Sequence, residues 1–157
     1  MNSQLIEIYT DGSCNPKFKI GGWAAIIFIS NNKLVLKGVE NETTHNRMEM
    51  LAVINSLKHV LNEIPNPKLI NIYTDSQYVA EIPRRAKKLV SKKFTSNSGN
   101  LIQNSDLVKK LIQLLESFNI EFIKVKAHQK TSDLINYNRE VDMLCRKIVR
   151  QQINKTL

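Results

Sequence analysis

Three short apolar runs occupy the first forty residues, and turn residues bound each of them. The runs extend from Leu5 to Thr10, from Gly22 to Ser30 and from Lys33 to Val39. Runs of this length between turn signals such as Asp11-Gly12-Ser13 and Asn31-Asn32 are typical of β-strands. Because the connections are short, we expect three consecutive antiparallel strands.

The spacing of apolar residues then changes to that of an amphipathic helix. Its apolar stripe recurs at i, i+4, i+7 and i+11 and consists of Met50, Ile54, Leu57 and Leu61. Thr43, Thr44 or Asn46 can cap the start of this helix, and Pro65 and Pro67 end it. We therefore expect a long helix between the third and fourth strands.

The rest of the chain continues to alternate strands and helices. We expect a strand from Leu69 to Thr74, a short helix to about Ile82, a segment without a clear period from Pro83 to Asn100, a helix from Asp106 to Phe118, a strand from Ile120 to Lys126, a loop from Ala127 to Asn136 and a helix from Asn138 to about Asn154. This order, β-β-β-α-β-α-α-β-α, predicts an α/β fold in which helices cover a mixed sheet.

Length and composition narrow the class of protein. A chain of 157 residues is typical of one domain, so we expect a single domain over residues 1–157, with its core from about residue 5 to 150. The 23 Lys and Arg against 14 Asp and Glu give a net charge of +9, which indicates a polyanionic partner without choosing among DNA, RNA and an anionic membrane. Two distant cysteines exclude a disulfide scaffold and favour a reducing compartment. The sequence has no signal-peptide pattern and no apolar run of about 18 residues, so we expect a cytoplasmic protein without a membrane partner.

One tetrapeptide occurs twice, because Ile8-Tyr9-Thr10-Asp11 returns as Ile72-Tyr73-Thr74-Asp75. Each copy is an apolar strand that ends in an aspartate, and ligands of α/β sheets bind beyond the carboxyl ends of strands. If the two strands are parallel neighbours, about 4.8 Å apart, Asp11 and Asp75 lie side by side. Adjacent carboxylates repel each other unless a proton or a cation lies between them, and carboxylate oxygens suit Mg²⁺ or Mn²⁺. The alternative is that both aspartates only form turns or cap helices.

Three further residues are candidates for chemistry, although each has an ordinary role when taken alone. Glu49 lies in the first turn of an apolar helix and Asp142 lies early in the last helix, where acidic side chains stabilise a helix N-terminus. His128 follows a strand and is otherwise a solvated loop residue. Local sequence places no base beside Cys14 or Cys145, so we expect neither thiol to react.

Six motifs connect these residues. In chain order they are Tyr9-Thr10-Asp11-Gly12-Ser13-Cys14-Asn15-Pro16 with Gly22-Trp23, Thr43-Thr44-His45-Asn46-Arg47-Met48-Glu49, Tyr73-Thr74-Asp75-Ser76-Gln77-Tyr78-Val79, Asn104-Ser105-Asp106-Leu107, Val125-Lys126-Ala127-His128 and Asn138-Arg139-Glu140-Val141-Asp142. With these motifs the sequence resembles a type 1 ribonuclease H, of the ribonuclease HI family, from about residue 5 to residue 146. Each motif alone is weakly specific, whereas four acidic positions and a histidine in this order are highly specific.

The resemblance implies a fold, an activity and a metal site. The fold is ribonuclease H-like, with a five-stranded mixed sheet of three antiparallel strands and then two parallel strands, flanked by helices. The activity is that of an endonuclease that hydrolyses the RNA strand of RNA/DNA hybrids and leaves 5′-phosphate and 3′-hydroxyl ends. Two Mg²⁺ ions, with Mn²⁺ as a substitute, would be held by Asp11, Glu49, Asp75 and Asp142. His128 would assist proton transfer or product release.

The resemblance also implies contacts with both strands of the hybrid. The 2′-hydroxyl groups of the RNA strand would be contacted by Cys14, Asn15, Glu49 and Gln77. Thr44 and Asn104 would hold a phosphate of the DNA strand, and Asn46 would contact the minor groove. Six cations within ten residues match the basic protrusion that grips the DNA strand in the family: Arg84, Arg85, Lys87, Lys88, Lys92 and Lys93. The alternative for this segment is a solvated helix face.

The sequence departs from the family's pattern at several places. Lys17-Phe18-Lys19-Ile20 replaces the usual Gly-Pro-Gly of the first loop, and His45 stands where Asn is common. Trp23 is the single tryptophan, so Leu89 and Phe94 are the nearest substitutes for the family's tryptophans along the DNA channel. The loop between His128 and Asp142 is several residues longer than usual. Since the first strand begins near Leu5, we expect no separate hybrid-binding domain, and we expect a monomer.

Two other functions remain open on the same fold. A non-catalytic nucleic-acid-binding module would need only the basic segment, and its four carboxylates would weaken phosphate binding. A resolvase-like or integrase-like nuclease would share the fold, although Gln77 and Cys14-Asn15 favour cleavage of hybrids. A dinucleotide-binding enzyme is disfavoured because no predicted strand is followed by Gly-x-Gly-x-x-Gly.

Overall fold

A computed structural model describes residues 5–126 and 136–157. It consists of a β-sheet covered by α-helices. Within these ranges the elements are β1 (Leu5–Asn15), β2 (Ile20–Ile29), β3 (Asn32–Glu40), α1 (His45–Glu63), β4 (Leu69–Thr74), α2 (Gln77–Ala80), α3 (Ile82–Ser91), α4 (Ser105–Ser117), β5 (Ile120–Lys124) and α5 (Tyr137–Thr156). Most of the predicted loop from Ala127 to Asn136 lies outside the described residues. Each helix within the described ranges is too short or too polar to span a lipid bilayer.

The strands form one sheet in the order β3-β2-β1-β4-β5. The pairs β1–β2 and β2–β3 are antiparallel, whereas β4 runs parallel to both β1 and β5. This arrangement confirms the prediction of a mixed sheet in which a three-stranded meander comes first. Because α1 carries the chain from β3 across to β4, the first and fourth strands become neighbours at the centre of the sheet.

Helices cover both faces of the sheet, as two successive glycines of β2 demonstrate. A Cβ atom added to Gly21 would lie 2.6 Å from Met48 of α1, whereas one added to Gly22 would lie 3.0 Å from Ile148 of α5. Since successive residues of a strand point to opposite faces, α1 and α5 pack on opposite sides of the sheet. The main apolar core lies on the α1 side and includes Ile8, Ile27, Leu57, Ile72 and Leu111.

The predicted apolar stripe of α1 is correct except at its end. Thr44 is the N-cap residue, since its Oγ1 accepts a hydrogen bond from the backbone N–H of Arg47 at 3.4 Å. The prediction for Leu61 is wrong, because this side chain is 45% exposed. The buried stripe is centred on Val53, Leu57 and Val60, at spacings of three and four residues, so Leu61 falls at its margin.

The predicted turn at Asp11-Gly12-Ser13 is wrong, because β1 continues through it to Asn15. Gly12 pairs with Trp23 in the antiparallel ladder of β1 and β2. The glycine provides space at this position: a Cβ atom there would lie 2.5 Å from the backbone nitrogen of Glu49. The chain reverses later, at residues 16–19.

The segment from Pro83 onwards, in which the sequence has no clear period, begins with a helix. In α3, Ile82 and Leu89 are buried and Ala86 packs against the core, so the apolar residues follow the i, i+4, i+7 spacing. Pro83 lies in the first turn, where a proline costs no intrahelical hydrogen bond and favours helix initiation. The prediction of no clear period from Pro83 onwards is therefore wrong over α3, where four basic residues separate the three apolar positions.

Candidate active site

The repeated tetrapeptides lie side by side at the centre of the sheet. In the parallel ladder of β1 and β4, Ile8 pairs with Ile72 and Tyr9 with Tyr73, so the two copies are in register. The rings of Tyr9 and Tyr73 stack with centroids 4.4 Å apart and an interplanar angle of 8°. This register brings the carboxyl ends of β1 and β4 to the same edge of the sheet, where each copy ends in its aspartate.

Glu49 joins the two aspartates from α1. The close approach of Gly12 to the backbone of Glu49 brings the start of this helix against β1, directly beside Asp11. One ligand oxygen from each of three carboxylates lies within 4.8 Å of the others, and these residues are Asp11, Glu49 and Asp75. We call this group the carboxylate cluster. Asp11 is 5% exposed and Glu49 is 1% exposed, so two of its three members are buried.

Burial of like charges perturbs the ionisation of the cluster. Loss of hydration, followed by repulsion from Glu49 and Asp75, raises the pKa of Asp11 far above its usual value. Loss of hydration, followed by repulsion from Asp75, likewise raises the pKa of Glu49. Neither oxygen of Glu49 accepts a hydrogen bond from the described residues. The cluster therefore requires protons or a cation, and its all-oxygen donor set fits hard divalent cations such as Mg²⁺ and Mn²⁺.

Asp142 lines the same site and lies outside the carboxylate cluster. It lines one cavity together with Asp11 and Asp75, at the start of α5. Its Oδ1 accepts a hydrogen bond from Nε of Arg146 at 3.2 Å. The role of Asp142 as a fourth metal ligand thus remains a prediction. His128, the predicted catalytic histidine, lies outside the described residues.

Four residues of α5 that were not predicted as site residues also line this cavity: Asn138, Arg139, Met143 and Arg146. Asn138 and Arg146 lie four residues before and after Asp142, so all three share one helix face and the cavity. The side-chain oxygen of Asn138 is buried and has no hydrogen-bond partner among the described residues. The i−4, i, i+4 spacing around Asp142 is a signal that could have identified both residues.

Buried Cys145 holds α5 against β1. Its Sγ donates a hydrogen bond to the backbone carbonyl of Asp11 at 3.2 Å. Burial raises the pKa of the Cys145 thiol, with Asp11 adding to the effect, so the thiol stays protonated. This contact supports the expectation that Cys145 positions the backbone and does not react.

The residues predicted to contact RNA after β1 are partly engaged in the local turn. Oδ1 of Asn15 accepts hydrogen bonds from the backbone N–H groups of Lys17 and Phe18 at 3.0 and 3.1 Å. Sγ of Cys14 lies 3.5 Å from the carbonyl oxygen of Thr43. Both residues line a second cavity with Arg146, so they lie next to the site.

Arg47, which the sequence analysis did not select, connects two predicted DNA contacts. Its backbone N–H is bound by Thr44, while its Nη1 donates to Oδ1 of Asn104 at 3.3 Å. The guanidinium also binds both carboxylate oxygens of Asp106, each at 3.0 Å. Thr44 and Asn104 are therefore held on one surface, between the starts of α1 and α4.

The two remaining predicted contacts, Asn46 and Gln77, begin helices near the site. Asn46 is half-buried in the first turn of α1. Gln77 is exposed at the start of α2, and its Nε2 donates to Oε1 of Glu81 at 2.7 Å.

The six cations of the basic segment are all exposed. Four lie on α3 and two follow it, and Arg84 forms an ion pair with Glu81 at 3.3 Å. Of the two candidate substitutes for the channel tryptophans, Leu89 is buried and faces no channel, whereas Phe94 is only partly buried and stays a prediction. Leu89 is buried and Phe94 packs against the apolar core, because both anchor α3 and the turn after it. The outer surface of this segment is therefore basic.

Comparisons with known proteins agree with this site. The family model described as RNase H matches residues 3–150. Ribonuclease H of Thermoanaerobacter sp. strain X514 is 32% identical over 156 residues, which cover 98% of this chain and 93% of that protein. Ribonuclease HI of Xylella fastidiosa strain Temecula1 is 38% identical over 144 residues, or 91% of each chain.

Solved structures share the fold at low sequence identity. LC9-RNase H1, described as a type 1 RNase H with the type 2 active-site motif, has a TM-score of 0.79 and 21% identity, and the match covers 97% of this chain and 75% of that one. The foamy viral protease-reverse transcriptase in complex with dsDNA has a TM-score of 0.70 and 18% identity, covering 94% of each chain. These two likenesses concern the fold alone.

Proposed function

Because the chain belongs to the ribonuclease H family and is therefore a ribonuclease H, which cleaves the RNA strand of RNA/DNA hybrids internally, we propose that it does so by two-metal-ion catalysis at the carboxylate cluster. The observation that carries the proposal is the cluster itself. Three carboxylates from β1, α1 and β4 converge within 4.8 Å, and two of them are buried. Such a group is costly to keep unless it binds cations.

Four acidic residues would hold the metal ions. Two Mg²⁺ ions, or Mn²⁺ in their place, would supply a site that activates a water molecule and stabilises the leaving 3′ oxygen, consistent with 5′-phosphate and 3′-hydroxyl ends. Asp11 and Asp75, which line the cavity, would supply metal-binding oxygens together with the buried Glu49. Asp142 completes the ligand set, and Arg146 orients its carboxylate.

The proposal gives His128 and the RNA contacts supporting roles. His128 assists proton transfer or product release, since imidazoles, with an unperturbed pKa of about 6.5, exchange protons at neutral pH. Cys14, Asn15 and Gln77 contact the 2′-hydroxyl groups of the RNA strand. The neighbouring cavity that Cys14 and Asn15 share with Arg146 supports this assignment.

The DNA strand is bound on the other side of the site. Thr44 and Asn104, held together by Arg47, bind a phosphate, and Asn46 contacts the minor groove. The exposed cations of α3 and the following residues grip the DNA backbone beyond that point. The enzyme acts as a monomer in the cytoplasm, and its free cysteines agree with a reducing compartment.

A cleavage assay tests the proposal. End-labelled RNA/DNA hybrid, double-stranded RNA and double-stranded DNA are incubated with the protein in Mg²⁺ or in chelator. We expect cleavage of the hybrid's RNA strand alone, only with metal, and complete loss in Asp11→Asn or Asp75→Asn. Glu116→Gln, at an exposed position on α4, is the matched control and should cleave normally. Full hybrid cleavage by either aspartate variant would refute the two-metal assignment.

A further inference from the structure

An imidazole lies against the buried glutamate of the carboxylate cluster. His45 is the first residue of α1, four residues before Glu49, and its Nε2 lies 3.2 Å from Oε1 of Glu49. The histidine side chain is 62% exposed, whereas that of Glu49 is 1% exposed. The exposed ring therefore reaches from the surface to a carboxylate whose oxygens accept no hydrogen bond from the described residues.

The spacing of these two atoms is that of neighbouring ligands of one cation. In an octahedral shell with metal–ligand distances of about 2.1 Å, adjacent donor atoms lie roughly 3.0 Å apart. Residues at i and i+4 of a helix share one face, which is why paired metal ligands recur at this spacing on helices. A cation bound to Oε1 of Glu49 thus has the nitrogen of His45 within reach after a shift of a few tenths of an ångström.

We infer that His45 is an additional ligand of the cation held by Glu49, and that it biases this centre towards transition-metal dications over Mg²⁺. The inference rests on the proposed function for the presence of a cation. Carboxylate oxygens serve Mg²⁺ and Mn²⁺ alike, and the oxygens of Asp11 and Asp75 lie within 4.8 Å of that of Glu49. A neutral imidazole nitrogen favours transition metals, so it is the donor that separates the two ions.

Metal titration of the full chain tests the inference without measuring cleavage. The metal-free protein is titrated with MgCl₂ and with MnCl₂ by calorimetry, and its melting temperature is followed at each concentration. The variant is His45→Asn, and the matched control is His59→Asn, a half-buried position on the same helix. Mn²⁺-loaded samples are also examined by pulsed electron paramagnetic resonance, which detects nitrogen bound to manganese.

We expect His45→Asn to weaken Mn²⁺ binding by about 10-fold, at the low end of losses on removing groups at metal sites, and to leave Mg²⁺ binding nearly unchanged. The nitrogen signal should vanish in His45→Asn and persist in His59→Asn. An equal loss for both ions would mean that His45 only positions Glu49, and a nitrogen signal that survives in His45→Asn would come from another residue. Either result overturns the inference. If the unmodified protein binds neither ion, the two-metal proposal itself fails, which is a distinguishable outcome.

Discussion

Replacing Asp11 with Asn is expected to stabilise the metal-free protein. Without a cation, the buried carboxyl of Asp11 faces Glu49 and Asp75, and both repulsion and loss of hydration oppose its ionisation. Asn has nearly the same shape and carries no charge. The substitution therefore removes the source of destabilisation while it keeps the packing around β1.

The separations within the cluster bound the size of the effect. Two unit charges at about 4.8 Å repel by ~3.5 kcal/mol at an effective dielectric constant of about 20, and Asp11 takes part in two such pairs. Protonation of a carboxyl relieves most of this repulsion. It costs about 1.4 kcal/mol for each pH unit by which the solution pH exceeds the unperturbed pKa of the carboxyl. That proton costs about 4 kcal/mol at pH 7, and the buried Asn amide forfeits part of the gain because it also loses hydration. We therefore expect a gain of about 2 kcal/mol, or roughly 4–8 °C in the melting temperature of a chain this long.

The pH dependence follows from the direction of the shifts. The pKa of Asp11 is higher in the folded than in the unfolded protein, so the folded state holds more protons from pH ~4 upwards. The unmodified protein must lose stability as the pH rises from about 4 towards the raised folded-state pKa. Asp11→Asn lacks this contribution, so the two stability curves converge at acidic pH and separate towards neutral pH.

Thermal melts in excess chelator from pH 4 to 8 measure this difference. The samples are the unmodified protein, Asp11→Asn and the control Glu116→Gln, whose exposed carboxylate lies on α4. Saturating Mg²⁺ should reverse the order, because only the unmodified protein keeps its full ligand set. A melting temperature of Asp11→Asn at or below that of the unmodified protein at pH 7 in chelator would refute the reasoning.

Two further outcomes concern groups around the cluster. His128→Ala should slow turnover at saturating hybrid by at most about 100-fold, the lower range for general acid–base groups, and a variant as inactive as Asp11→Asn would make His128 essential. Replacing Lys87, Lys88, Lys92 and Lys93 with Gln should raise KM strongly and flatten the slope of log affinity against log salt by about 2, at about 0.9 per phosphate contact. Turnover should change little because the cluster is intact, and an unchanged salt slope would make these lysines ordinary surface charges.

The fold could be predicted where one local signal determined each element. Apolar runs between turn residues marked the strands, and the stripe of α1 marked its buried face. The repeated tetrapeptide indicated that Asp11 and Asp75 would meet, and the parallel register of β1 and β4 confirms it. Helix α3 was not predicted, because only Ile82, Ala86 and Leu89 mark its buried face and four basic residues lie among them.

Other features depend on contacts between distant segments and cannot be predicted from the local sequence. Gly12 resembles a turn residue in sequence, but its real function is to admit the backbone of Glu49. The contact of His45 with Glu49 depends on rotamers that sequence spacing alone does not choose. Likewise, Arg47 was passed over because its partners, Asn104 and Asp106, lie more than fifty residues away.

Long-range hydrogen bonds around Asp11 determine when this part of the site is complete. Thr10 binds the carbonyl of Tyr73 across 63 residues, and Cys145 binds that of Asp11 across 134 residues. Contacts of such long range form late, because the chain must first lose the entropy of closing large loops. A ribosome-bound chain that ends before α5 carries Asp11, Glu49 and Asp75 but lacks Asp142 and the brace from Cys145. The cavity beside Asp11 and Asp75, which α5 helps to line, therefore forms only after α5 has left the ribosome and packed against the sheet.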